Sequence, residues 1–188
     1  MTTIALGART PHTIRRRWVR FAALALLMGV ALTLVLALVS PAFRFNVEQL
    51  AVQATGGGEY QVSGASMEPA LHNGELLLVQ PLSAAPYRGE IVIFHPPTDP
   101  ARDYVKRIIG LPGETVYITL TGMVEINGHL LVEPYAVPGD NPMGRMTVYL
   151  KPGQYFMMGD NRGSSLDSRE FGPVEYSSII GQVTAALP

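Results

Sequence analysis

One uncharged stretch, residues 21–39, constrains the fold of this chain more than any other feature. Thr33 is its only polar side chain and Gly29 its only glycine. As an α-helix that rises about 1.5 Å per residue, the stretch would be about 28 Å long, close to the bilayer hydrocarbon thickness of about 30 Å. The sequence therefore predicts a transmembrane helix at 21–39.

Charge is distributed unevenly around this stretch. Residues 1–40 hold five arginines and no acid, so they carry +5, whereas the remaining residues sum to −6. The positive-inside rule then predicts a cytoplasmic tail at 1–20 and an extracytoplasmic location for everything after residue 40. Because the arginines adjoin the apolar stretch, they predict membrane topology rather than nucleic-acid binding.

A cleaved secretory signal is the alternative interpretation of this region, since it has the same order of charges. Its apolar part is normally about 7 to 15 residues long and ends at a site of small residues. Here the stretch is longer, and bulky Leu38 and Val39 lie where small residues are needed. We therefore expect an uncleaved signal-anchor.

The remaining sequence has room for one folded domain. We expect a juxtamembrane linker at 40–58, which ends in the glycines at 56–58, and an extracytoplasmic domain at 59–188. There is no cysteine, so disulfides, thiolate catalysis and thiolate metal sites are excluded.

Short apolar runs separated by glycine and proline fill this domain. Strands are predicted at 75–79, 90–94, 103–109, 155–158 and 178–186, with a further strand at Tyr149. Residues 124–132 predict a hairpin whose turn is Asn127-Gly128. No helix is predicted outside the membrane. The pattern favours a mostly β, antiparallel domain of barrel or sandwich type.

A candidate nucleophile lies between two backbone constraints. Gly64 permits a positive φ or a close approach, and Pro69 interrupts regular structure, so Ser66 is expected on a bend. A serine hydroxyl becomes a good nucleophile only when a base removes its proton. On its own, this segment is more typical of an ordinary turn with a satisfied hydroxyl than of a nucleophile.

The candidate base is a lysine, because no histidine has a suggestive context. The chain has only Lys106 and Lys151. In a strand at 103–109, Lys106 would share a face with Tyr104 and Ile108. Burial would lower its pKa from about 10.4 and yield a neutral amine. The alternative is an edge-strand lysine whose ammonium reaches water, and a histidine-based triad stays open.

A dense polar run at 159–173 follows the last apolar segment of the domain. Its acids lack the spacing of a calcium loop, because Arg162 and Ser164 occupy ligand positions, so no metal is expected. The functional interpretation is a platform of hydroxyl and ion-paired groups that orients a buried amine. The alternative is a simple polar loop.

Four ordered segments resemble the sequence boxes of bacterial type I signal peptidases. They are Ser-Met-Glu-Pro at 66–69, Arg-Gly-Glu-Ile-Val at 88–92, Tyr-Val-Lys-Arg-Ile-Ile-Gly-Leu-Pro-Gly at 104–113, and Gly-Asp-Asn-Arg at 159–162 through Asp-Ser-Arg at 167–169. The arginine-flanked anchor matches as well. The resemblance implies a membrane-bound serine endopeptidase that removes signal peptides from exported preproteins by cutting after small residues.

The resemblance also implies residue roles. Ser66 would be the nucleophile and Lys106 the general base. Ser165 would orient the lysine amine, Asp160, Asp167 and Arg169 would support the site, and Arg107 would pair with one of these acids. Substrate would contact Met67, Tyr104 and Val105. The Ser66 N–H would bind the oxyanion, while Gly64 lies where some members have a second, serine donor.

The implied partners are preproteins and membrane lipid, with no cofactor, metal or nucleic acid, and we expect a monomer. The main alternative is a membrane-anchored β-domain that binds extracytoplasmic peptides without cutting them.

Overall fold

The computed structural model describes residues 25–35, 50, 56–139 and 143–187 of the chain. The chain falls into two units that divide between Val47 and Glu48. In the first unit, residues 25–35 form helix α1. Within the described part of the chain, no helix is both long and apolar enough to cross a membrane. The predicted tail at 1–20 and most of the predicted linker lie outside the described residues, as do both ends of the predicted span.

The second unit is built from short strands in two sheets. They are β1 (Gly58–Gln61), β2 (Leu76–Gln80), β3 (Ile91–Phe94), β4 (Tyr104–Gly110), β5 (Thr115–Ile118), β6 (Val124–Ile126), β7 (His129–Leu130), β8 (Met146–Tyr149), β9 (Gln154–Met158), β10 (Val174–Glu175) and β11 (Ile179–Leu187). The large sheet has the order β1-β2-β11-β3-β4-β9-β10, and the small sheet has the order β7-β6-β5-β8.

Every pair of neighbouring strands is antiparallel. The predicted mostly β, antiparallel fold is therefore confirmed. The large sheet is open, because its edge strands β1 and β10 are not paired with each other in the described part of the chain. β11 follows all other strands in sequence, yet it lies in the middle of this sheet, between β2 and β3.

The predicted hairpin at 124–132 is formed by β6 and β7. Asn127 has a φ of 52° and Gly128 a φ of 82°. Both central residues thus have the positive φ that a type I′ turn needs, which explains why Asn-Gly predicts such a turn.

Several elements were not predicted. β1 includes Gly58, which was assigned to the linker, and β5 and β10 were missed. The expectation of no further helix was wrong, because helix α2 (Ser168–Phe171) follows Asp167, whose side chain caps it. A helix of four residues is too short to show an apolar period.

Strand alternation divides the core into three clusters. Ile109 of β4 and Phe156 of β9 pack against Val116 and Val124 of the small sheet, which joins the two sheets. A second cluster contains Ile93. A third contains the neighbouring Val92 and Phe94 on the opposite face of β3. Each central strand therefore buries side chains on both faces, which fixes its register.

Candidate active site

Ser66 lies in the connection between β1 and β2. Gly64 has a φ of 98°, a conformation that glycine adopts without strain, and its N–H donates to Asn73 Oδ1 at 2.8 Å. Met67, which follows Ser66, is 1% exposed and packs with Leu71. The buried methionine therefore anchors the segment, while Ser66 stays partly exposed.

Lys106 of β4 reaches the serine. Its Nζ donates to Ser66 Oγ at 2.8 Å and to the Val105 carbonyl at 2.9 Å, and the residue is 4% exposed. The amine lies 5.5 Å from the centre of the Tyr104 ring. The amine is therefore not directed into water, contrary to the edge-strand alternative.

Burial lowers the pKa of Lys106 to about 8, although the negative charges of Asp167 and Asp160 oppose the shift. A pKa this close to neutrality leaves part of the amine uncharged at neutral pH, and a neutral amine can accept a proton.

The predicted alternation of this strand is confirmed. Tyr104 and Ile108 pack in the cluster of Phe94, whereas Val105 packs against the cluster of Ile93 on the other face.

Asp160 is fully buried and has an arginine partner. Arg107 donates to both carboxylate oxygens, from Nε at 2.8 Å and from Nη2 at 2.6 Å. Its Nη1 also donates to the Gly89 carbonyl at 2.7 Å. The prediction that Arg107 pairs with one of the site acids is therefore correct, and the acid is Asp160.

Asp167 is also fully buried and organises the end of the polar run. Its Oδ1 accepts from Arg169 Nε at 2.8 Å. Its Oδ2 accepts from Arg169 Nη2 at 2.9 Å, from Ser165 Oγ at 2.7 Å and from the Gly159 N–H at 3.1 Å. Of the predicted supporting residues, Ser165 and Arg169 thus form one network with Asp167, whereas Asp160 pairs with Arg107.

Ser165 does not make its predicted contact with the lysine. Among the hydrogen bonds of the described residues, its hydroxyl donates to Asp167 and none joins it to Lys106. The hydroxyl donates its one proton to the carboxylate, so it does not donate to the amine of Lys106.

Residues 159–165, called the catalytic loop below, touch the nucleophile segment. A Cβ at Gly159 would overlap both the Ser66 carbonyl and Ser165 Oγ, so only glycine fits there. The Asn161 N–H donates to the Ser66 carbonyl at 3.1 Å, and its side-chain amide donates to the Ala65 carbonyl at 3.2 Å. The loop therefore holds the backbone of the serine.

A cavity of about 530 Å³ opens beside Ser66 and Lys106. Tyr104 and Val105 line it, as predicted from the resemblance, but Met67 does not. Met67 is buried in the cluster that includes the cavity residues Leu77 and Ile93. Its apolar side chain supports the cavity from within the core instead of facing a substrate.

The sequence did not reveal most of the cavity wall. The additional lining residues are Tyr60, Gln61, Val62, Ser63, Leu77, Ile93, Arg102, Asp103 and Leu166. The first four belong to β1 or follow it directly. Because β1 was not predicted, this side of the cavity was not predicted either.

Comparison with known proteins gives consistent matches. A family model described as signal peptidase, peptidase S26, matches residues 15–187. Signal peptidase I of Bacillus caldolyticus is 39% identical over 140 residues, which cover 66% of this chain and 75% of the relative. Signal peptidase I V of Bacillus subtilis (strain 168) is 35% identical over 144 residues, covering 68% and 84% of the two chains.

A crystal structure of a signal peptidase I from Enterococcus faecalis is 34% identical and covers 54% of this chain and 98% of its own, with a TM-score of 0.46. The matches in sequence define the class of this protein as a serine endopeptidase. Within that class, the chain belongs to the signal peptidase family, peptidase S26.

Proposed function

We propose that this chain is a membrane-anchored endopeptidase that removes N-terminal signal peptides from preproteins with Ser66 as nucleophile and Lys106 as base. The observation that carries the proposal is the 2.8 Å hydrogen bond between Lys106 Nζ and Ser66 Oγ. It lies at a cavity of about 530 Å³, and a substrate chain could lie along this cavity.

The proposed reaction has two halves. The neutral amine of Lys106 takes the Ser66 hydroxyl proton as Oγ attacks the scissile carbonyl, and the Ser66 N–H stabilises the oxyanion. The ammonium then protonates the leaving amine, and an ester with Ser66 remains. Next, the amine takes a proton from water, the hydroxide attacks the ester, and the proton returns to Ser66 Oγ as the acid is released.

The supporting roles follow from the contacts of the acids. Asp167 and Asp160 raise the pKa of Lys106 against the effect of burial, and they would stabilise the ammonium formed during each half-reaction. Ser165 and Arg169 both donate to Asp167, so we assign them the role of fixing this carboxylate. Arg107 would fix Asp160 in the same way.

The substrate specificity can be tested with a purified preprotein. The full chain in detergent is expected to cut after a small residue, with small side chains also preferred at the third position before the bond. Mass spectrometry of the product identifies the bond, and a matched preprotein with phenylalanine replacing the residue before it should resist cleavage. If neither preprotein is cut but both are bound, the non-catalytic peptide-binding domain becomes the better account.

The membrane anchor is proposed from the sequence at 21–39 and the arginines before it. The full chain should stay with membranes after extraction at alkaline pH, and external protease should digest the domain at 59–188 in spheroplasts. Release by alkaline extraction, or a mature N-terminus after residue 40, would instead support a cleaved secretory signal.

The pH dependence follows from the lysine. Because the amine must be neutral to act as a base, kcat/KM should rise about tenfold per pH unit below the pKa and level off above about pH 8. The profile is measured with a peptide that has no group titrating between pH 6 and 10. A rate that stays constant from mildly acidic to alkaline pH would contradict the lysine base.

A further inference from the structure

A segment outside the family-like motifs packs along the catalytic loop. Residues 131–139, called the strap, follow β7. The Val137 N–H donates to the Asp160 carbonyl at 2.8 Å, and the Arg162 N–H donates to the Val137 carbonyl at 3.2 Å. A Cβ at Gly139 would overlap the backbone of Gly163, so the two segments are in close contact. The strap therefore borders the loop that holds Ser66.

An ion pair also joins the two segments. The Glu133 carboxylate accepts from Arg162 Nη2 at 2.5 Å and from Nη1 at 2.9 Å. The side chains are 8% and 3% exposed, respectively. Arg162 Nε also donates to the Gly159 carbonyl at 3.1 Å. One arginine thus links the strap to the first residue of the catalytic loop.

A second strap residue, Tyr135, contacts Arg107. The Tyr135 hydroxyl donates to Glu133 Oε1 at 3.2 Å, and its ring centre lies 4.1 Å from Arg107 Cζ. Arg107 in turn pairs with Asp160. Glu133 therefore pairs with Arg162, while Tyr135 packs on Arg107, the partner of Asp160.

We propose that Glu133 is a positioning residue for peptide cleavage: through Arg162 it holds the catalytic loop against the Ser66 carbonyl. This inference rests on the proposed function. Gly159 packs on that carbonyl and Asn161 donates to it, so release of Arg162 would displace the nucleophile. Displacements of about 1 Å reduce rates about 100-fold.

The structure also indicates which kinetic constant should change. Among the described residues, the cavity beside Ser66 is lined by the segments 60–63 and 102–106, by Leu77, Ile93 and Leu166, and by no strap residue. Loss of Glu133 should therefore lower kcat and leave KM nearly unchanged.

The first experiment compares Glu133→Gln with Glu114→Gln in the full chain. Glu114 is a matched control because its carboxylate also pairs with an arginine, Arg88, but does not contact the catalytic loop. Rates are divided by the folded fraction from circular dichroism. We expect kcat to fall at least about tenfold for Glu133→Gln, with KM within about twofold, and to stay unchanged for the control. An unchanged kcat, or a change confined to KM, would overturn the inference.

A double variant tests whether the ion pair acts as one unit. The volume-conserving pair Glu133→Leu with Arg162→Met leaves no unpaired buried charge, so it should fold even if a single variant does not. Because Glu133→Gln already removes the carboxylate that holds Arg162, the double variant should be no slower than Glu133→Gln. Wild-type kcat in the folded double variant would count against the positioning role.

Hydrogen exchange separates this inference from the proposed function. In Glu133→Gln the amides of Asn161 and Arg162 should exchange faster than in the wild type, while those of β9 stay protected. Should the wild type cleave no preprotein, the proposed function fails, and this comparison then decides only whether Glu133 holds the catalytic loop. Equal exchange at both amides would refute it.

Discussion

A Ser66→Ala variant is expected to cleave a preprotein about 10⁵-fold more slowly than the wild type, or not measurably, and to keep its fold. The change removes only the hydroxyl that accepts the hydrogen bond from Lys106 at 2.8 Å, and loss of a nucleophile typically costs five to six orders of magnitude, about 10⁵ to 10⁶. Cleavage is followed by gel and mass spectrometry, with circular dichroism on each protein. A folded variant that still cuts would exclude Ser66 as nucleophile.

The partner variant, Lys106→Met, should be equally inactive and also more stable at neutral pH. The folded-state pKa of about 8 lies below the ordinary lysine value of 10.5, mainly because of burial. The unfolded chain therefore binds more protons between these values, so the buried lysine costs stability below about pH 8 and this cost disappears above about pH 10.5. Denaturant unfolding at pH 7 and pH 11 measures the difference. Inactivity together with lower stability at pH 7 would mean that the loss of cleavage reflects unfolding.

The second large expected effect is the loss of stability when Asp167, the buried carboxylate bound by Arg169, is removed. Asp167→Ala should lower the free energy of unfolding by about 3 to 5 kcal/mol, because it leaves the Arg169 guanidinium, 1% exposed, without its carboxylate. The same change frees Ser165 Oγ and the Gly159 N–H. Cleavage should therefore fall even in the fraction of molecules that remains folded.

A surface ion pair provides the comparison for this variant. Asp99 pairs with Arg102 at 3.2 Å, but the side chains are 40% and 75% exposed, so Asp99→Ala should cost less than about 1 kcal/mol. Urea unfolding of both variants gives the two values under the same conditions. Equal costs would show that the Asp167 network does not stabilise the folded state.

The candidate reacting groups could be recognised from the sequence because each motif depends on residues close to it in the chain. Burial of Lys106 could be predicted from the apolar neighbours in its strand. Gly64 was expected to adopt a positive φ or to permit a close approach, and it has a positive φ. The residues alone made Lys106 a candidate base for Ser66 with alternatives open, and the resemblance assigned the pair. The two residues are separated by 40 positions, and periodicity within a strand carries no information on such distances.

Details that depend on competition between partners could not be predicted. The hydroxyl of Ser165 has a lysine and a carboxylate as candidate partners, and side-chain geometry decides for Asp167. Met67 was expected to contact substrate, but the core offers its apolar side chain a buried site. Glu133 and Arg162 lie 29 residues apart, and the strap lacks any periodic pattern.

The position of β11 affects when the active site can form as the chain folds. The two walls of the cavity belong to different halves of the large sheet, because β1 and β2 lie on one side of β11 and β3 and β4 lie on the other. β11 comprises Ile179–Leu187, so it is synthesised after every other strand. While the chain emerges from the ribosome or a translocation pore, the serine and the lysine have no common sheet to join them. We therefore expect the sheet that joins the two halves of the dyad to be completed only when β11 is inserted.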